Sequence, residues 1–184
     1  MKRLTVIAAF FNMQRKAVRT LYTLTDEYQQ DVSADDYDVV VMDNGSSAPL
    51  NGDMVRELGT NFTYHFVETT SKSPVAAIST AVRAATTPHV LCMIDGARML
   101  TPQILARALE EAARGDDSLI DALSPHLGSQ LPNDGAFNGY TQKAEDELLS
   151  SVAGSRADTS RLAFRTFVWF LNGSCYPRLR VPAS

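Results

Sequence analysis

The sequence predicts an α/β domain, a mostly parallel sheet with helices on both faces. Three observations predict it. Apolar runs of strand length recur through the first two thirds of the 184-residue chain, at Leu4–Phe10, Tyr37–Met42, Phe62–Val67 and His89–Ile94. The segments between them carry apolar residues at helical spacing, as Ala17, Leu21, Leu24 and Tyr28 do. The runs are continuous rather than alternating, which is how strands read when crossover helices bury both faces of a sheet.

Each element follows from local chemistry. Leu4–Phe10 is a β-branched-rich run and reads as a buried strand, followed by a helix over Met13–Gln30. Tyr37–Met42 is a second buried strand, stopped by the turn formers Asp43-Asn44-Gly45-Ser46-Ser47. A short helix over Asp53–Leu58 ends at Gly59, and Phe62–Val67 is the third strand. Ser73-Pro74 opens a helix to about Ala85, with Ser at the cap and Pro at the first helical position. His89–Ile94 is the fourth strand, closed by Asp95-Gly96, and Thr101-Pro102 opens a helix ending near Gly115. Beyond it, Leu119–Leu123 reads as a fifth strand, Pro125–Tyr140 as a Gly- and Pro-bearing loop, and Thr141–Val152 as an amphipathic helix. Arg161–Leu171 is strongly apolar, core or, in a non-catalytic module, a partner surface.

Composition narrows the function. A net charge of −4 and a pI near 5.3 argue against an electrostatic grip on nucleic acid. They argue equally against an anionic membrane surface, although a peripheral membrane association stays open. Two cysteines, Cys92 and Cys175, exclude a disulfide framework, and Cys92 reads as a small buried core residue. His65 and His89 fall within strand patterns and read as packing residues. The run after Met1-Lys2-Arg3 is too short for a signal peptide and lacks a cleavage site, so the expected location is cytoplasmic.

The polar residues of interest gather at strand ends. In a parallel α/β sheet, ligands bind beyond the carboxyl ends of the strands, where strand order reverses. The first strand runs into Phe11-Asn12, the second into Asp43-Asn44-Gly45-Ser46-Ser47 and the fourth into Asp95-Gly96-Ala97-Arg98. Two carboxylates at the ends of strands in one sheet can face one crevice. One can accept from a base or ribose while the other faces a phosphate-bound metal. Asp also begins ordinary turns, which is the alternative for both.

Val6–Phe11, Tyr37–Ser47 (YDVVVMDNGSS), Ser73–Ala85 and Val90–Leu100 (VLCMIDGARML) together resemble the nucleotide-sugar-binding half of family-two glycosyltransferases of the GT-A fold. The resemblance covers about residues 4–105. It implies that Asp43, with Gly45 and Ser46 of the same signature, binds the nucleotide. It implies also that Asp95 stands at the family's DxD, holding a divalent cation, Mn²⁺ or Mg²⁺, and the donor diphosphate as the catalytic carboxylate. Phe11 and Asn12 are nucleotide-binding candidates from the first strand end. Lys72 and Arg98 are candidates for the phosphates, and Ser79 stands with Ile78 where the family carries an Arg-Asn pair. Ala97 replaces the second DxD carboxylate. Ser124–Gln130 (SPHLGSQ) is similar to a bacterial subset of the family, which implies His126 as a further metal ligand.

The expected organisation is a nucleotide-sugar-binding domain over residues 1–118 and a partial acceptor-side segment over 119–184. The implied reaction is inverting transfer of a sugar from a nucleotide-diphosphate donor to a saccharide or other hydroxyl acceptor. Such a reaction needs a general base. Glu145-Asp146 is the late acidic pair, and its position beside Leu148-Leu149 suits a solvated helix face instead. The chain therefore reads as a donor-binding half. A non-catalytic nucleotide- or sugar-binding or scaffold module is the alternative.

Overall fold

The computed structural model describes residues 1–94 and 99–114 of the chain, with Lys143 and Glu147. The chain divides into two compact units, Met1–Gly115 and Asp116–Ser184. Within the first, the elements run β1 (Leu4–Phe10), α1 (Gln14–Tyr22), β2 (Tyr37–Asp43), α2 (Gly52–Glu57), β3 (Phe62–Phe66), α3 (Val75–Ala84), β4 (His89–Ile94) and α4 (Ile104–Ala112). The expected strand at 119–123, the loop at 125–140 and the apolar segment 161–171 lie outside the described residues. Of the expected helix over 141–152, Lys143 and Glu147 are described, both helical and ion-paired at 3.9 Å.

The four strands are parallel and stand in the order β3-β2-β1-β4, a Rossmann-like α/β arrangement. Register brings the strand ends level: Phe10 pairs with Asp43, Asp43 with Phe66, and Ala9 with Ile94. All seven residues of β1 are buried, as a central strand with a helix layer on each face requires.

The larger core lies on the face of Leu4, Val6, Ala8 and Phe10. There Ala17, Leu21 and Leu24, Val55, and Leu105 and Leu109 pack against the sheet. Leu21 is fully buried, so Leu21→Ala would cost about 2–5 kcal/mol from lost burial and the cavity left behind. On the opposite face, Ala77 and Ala81 of α3 cover Ile7 and Met42. The chain thus changes face between β3 and β4, and strand order reverses between β1 and β4.

Three expectations are corrected. The helix after β1 ends at Tyr22, not Gln30, because threonine side chains close it. Thr23 Oγ1 donates to Thr20 O at 2.7 Å and Thr25 Oγ1 to Tyr22 O at 2.8 Å, taking up carbonyls at the helix end. Cys92 is exposed rather than core, because α3 covers Ile7 but not its register partner on β4. His65 is likewise exposed, on the edge strand β3, while His89 is half-buried.

The helix starts follow cap chemistry with small shifts. Asn51 Oδ1 accepts from Asp53 N at 2.9 Å and Met54 N at 3.3 Å, so α2 begins at Gly52. Ser73 Oγ accepts from Val75 N at 3.5 Å, with Pro74 the residue just before α3. Among the described residues, no helix is long and apolar enough to cross a membrane.

Candidate functional site

The site begins with the last residue of β2. Asp43 is 0% exposed, and a buried carboxylate is tolerable only when its oxygens accept hydrogen bonds. Its Oδ1 accepts from Ser46 N at 3.1 Å. Its Oδ2 accepts from Leu50 N at 2.9 Å and from the Tyr64 hydroxyl at 3.3 Å. Burial pushes the Tyr64 hydroxyl up to about 12, and the Asp43 charge beside it adds to the rise. Both carboxylate oxygens therefore serve the protein's own loop, wrapping residues 44–50 around the strand end.

That loop fastens the loops on either side of it. Toward β1, Asn12 adopts a left-handed backbone at φ 52°, which Asn tolerates better than most residues. Its N–H donates to Ser46 Oγ at 2.8 Å, and its Oδ1 accepts from Ser47 N at 2.9 Å and Ser47 Oγ at 3.0 Å. Toward β3, Gly45 lies at φ +73°, and a Cβ there would stand 2.5 Å from the Thr69 carbonyl oxygen. Only glycine fits that approach.

Asn44 completes the junction. Its N–H donates to Phe10 O at 2.8 Å, and its Nδ2 donates to Ser71 O at 3.0 Å and Ser73 O at 3.3 Å. Those two carbonyls fix the amide's orientation, since a flipped amide would set oxygen against oxygen. Its Oδ1 is buried and has no hydrogen-bond partner among the described residues. A buried acceptor without a donor is unusual, because it forfeits the solvation it had in water.

The structure thus brings Asn12, Asp43, Gly45 and Ser46 into one rim at the carboxyl ends of β1, β2 and β3. Phe11 is half-buried beside Asn12, and Lys72 is exposed on the loop that Asn44 holds. Ser79 is half-buried in α3, about 6 Å along the axis from Val75 at 1.5 Å per residue. Asp95, Arg98 and His126 lie outside the described residues. Among the described residues, no group of three or more His, Cys, Asp or Glu side chains could hold a metal ion.

Sequence reasoning passed over Asn44, Tyr64 and the Thr69–Ser73 loop. Asn44 sits between Asp43 and Gly45 in a run of turn formers, where an asparagine reads as one more turn residue. Its burial exists only once the loop after β3 folds across it.

No protein-family model matches the chain, and no curated protein matches it. Solved structures do. Staphylococcus aureus TarS 1–349, a glycosyltransferase, superposes with a TM-score of 0.59 at 22% identity. The match covers 71% of this chain and 38% of that one. The same TarS fragment in complex with UDP matches at the same values, and its complex with UDP-GlcNAc at a TM-score of 0.56 and 20% identity. The match therefore spans well under half the length of those TarS structures, and what this chain shares with them is the α/β fold.

Proposed function

We propose that the chain binds a nucleotide-diphosphate sugar and takes part in transferring the sugar to an acceptor hydroxyl. The observation that carries this reading is the rim at the strand ends. Three loops, after β1, β2 and β3, are tied together through residues 43–47 beside the point where strand order reverses. Open α/β sheets bind ligands there, and the TarS structures of the same fold include complexes with UDP and UDP-GlcNAc.

In this reading Asp43 acts from behind the surface, holding the loop in shape. Gly45 borders the nucleotide, with Asn44 and Ser46 buried beneath it as the loop's supports, Phe11 and Asn12 beside it and Lys72 and Ser79 on the phosphate side. Asp95 and Arg98 follow β4 and take the diphosphate. Transfer by inverting displacement forms a bond from the acceptor oxygen to the anomeric carbon. The bond to the diphosphate breaks with its electron pair, and a base removes the acceptor's proton. A divalent cation, Mn²⁺ or Mg²⁺, held by Asp95 would supply charge to the departing diphosphate.

The test is thermal unfolding with UDP, UDP-GlcNAc, CDP and ADP. A ligand at about 100 times its dissociation constant stabilises by roughly 2.7 kcal/mol, a readily measured rise in melting temperature. A rise with UDP and UDP-GlcNAc supports the reading, and no rise with any of the four overturns it. UDP release from UDP-GlcNAc that depends on an added hydroxyl acceptor separates a transferase from a binding module.

A further inference from the structure

Tyr64 packs against the larger core from β3, between the exposed Thr63 and His65. Its register partner on β2 is Val41, two positions short of Asp43. Two strand residues advance about 6.6 Å, so reaching the carboxylate from there takes a long side chain with a polar tip. The Tyr64 hydroxyl donates to Asp43 Oδ2 at 3.3 Å, on the oxygen to which Leu50 N donates at 2.9 Å. Burial and the neighbouring carboxylate hold that hydroxyl protonated up to about 12, so it is a donor throughout the neutral range.

One edge of the same ring lies on Gly52, the first residue of α2. A Cβ at Gly52 would stand 2.7 Å from Tyr64 Cδ1 and 3.3 Å from Tyr64 Cε1. Gly45 is the glycine with a positive φ, so at Gly52 it is the ring's approach, not the backbone angle, that calls for glycine. Tyr64 therefore touches both ends of the loop over residues 44–51, at the carboxylate before it and the glycine after it. Packing alone has no need of the hydroxyl. A phenylalanine would fill the same space, and a half-buried phenol gives up solvation that the Asp43 contact returns.

We propose that Tyr64 is a positioning residue for the nucleotide, clasping the loop after β2 at Asp43 and Gly52 so that Gly45 and the Asn12–Ser46 contact hold their places on the rim. The inference rests on the proposed function, which seats the nucleotide on that rim. Tyr64 acts through the loop and not on the ligand. A loop already held in its binding shape spares the ligand the cost of ordering it.

The test is UDP affinity by calorimetry on the 184-residue chain, with urea unfolding of each variant alongside. Tyr64→Phe removes the hydroxyl and keeps the ring. Gly52→Ala keeps the hydroxyl and drives the ring off the start of α2. Each should weaken UDP about fivefold, the equivalent of one ordinary hydrogen bond. The double variant should weaken it no further, because both substitutions open one clasp. A loss of about 25-fold in the double variant would mean two independent effects, and it overturns the clasp. A lower unfolding midpoint in Tyr64→Phe with unchanged UDP affinity is what a merely structural tyrosine gives, and that result also overturns the proposal. If Gly52→Ala does not fold, the UDP affinity of Tyr64→Phe decides alone. A wild-type chain that does not bind UDP overturns the nucleotide reading itself, a result seen before any variant is made.

Discussion

The carboxylate of Asp43 accepts the backbone N–H of Leu50 at 2.9 Å, seven positions along the chain, and so closes the loop that follows β2. The same side chain also takes the Ser46 N–H and the Tyr64 hydroxyl. A strand-end aspartate thus organises the rim on which three loops meet, and its energetic weight falls on folding.

Asp43→Ala strips acceptors from two backbone N–H groups in a buried place. Each donor left without a partner costs about 1–3 kcal/mol, so a destabilisation of about 2–4 kcal/mol is expected, with UDP binding lost alongside. Urea unfolding measures the first and calorimetry the second. A denaturation midpoint equal to wild type would show that the loop holds its shape unaided.

Gly45→Ala forces a Cβ toward the Thr69 carbonyl at a backbone angle that disfavours side chains. The expected cost is on the order of 2 kcal/mol, from strain and from displacement of the loop over residues 67–73. Retention of full stability in thermal unfolding would place Thr69 elsewhere in solution.

Tyr64 gives the pH dependence a sign. Its hydroxyl ionises at about 12 in the folded chain, against an ordinary value near 10. Its contribution is therefore fully present below pH 10 and is lost as the pH rises from about 10 to 12, because the unfolded state sheds the proton first. Tyr37, raised to about 12 by burial, adds a second contribution of the same sign. Tyr64→Phe should flatten part of the fall in stability over that window. An alkaline unfolding curve superimposable on wild type would contradict the buried Tyr64–Asp43 contact.

Asp95→Asn tests the proposed cation. The substitution keeps the shape and removes the charge, so any Mn²⁺-dependent gain in UDP affinity should disappear while metal-free binding persists. If the variant responds to Mn²⁺ as wild type does, the cation is held elsewhere.

The four strands were legible because a buried parallel strand announces itself as an unbroken apolar run, as at Leu4–Phe10 and His89–Ile94. Helix ends were less so. Leu24 and Tyr28 continue the helical spacing past Tyr22, yet Leu24 is buried in the core from a non-helical backbone. Periodicity cannot distinguish the two, whereas the local hydroxyl bonds of Thr23 and Thr25 do. Exposure was misjudged where it depends on what lies opposite: Cys92 and His65 have the strand propensity of core residues but stand where, among the described residues, no helix covers them. At the site, the strand-end polar residues were visible as a class. Their division of labour was not, since it depends on which loop folds over which, as the loop at 67–73 does over Asn44.

The central place of β1 also sets an order of events in folding. Its neighbours lie at unequal distances along the chain. Contacts with the residue leading into β2 join positions 33 apart, as between Arg3 and Asp36, while contacts with the segment leading into β4 join positions 82 apart, as between Thr5 and Thr87. Closing the longer loop costs about 0.8 kcal/mol more chain entropy, by the logarithmic dependence on loop length. The β1-α1-β2 unit therefore offers the less costly nucleus, and β4 docks onto a surface already formed. Pulse-labelled hydrogen exchange should see the amides of Tyr37–Asp43 protected before those of His89–Ile94. β4 would then be the last of the pair to reach the sheet, after the rim where the loops following β1 and β2 meet has begun to form.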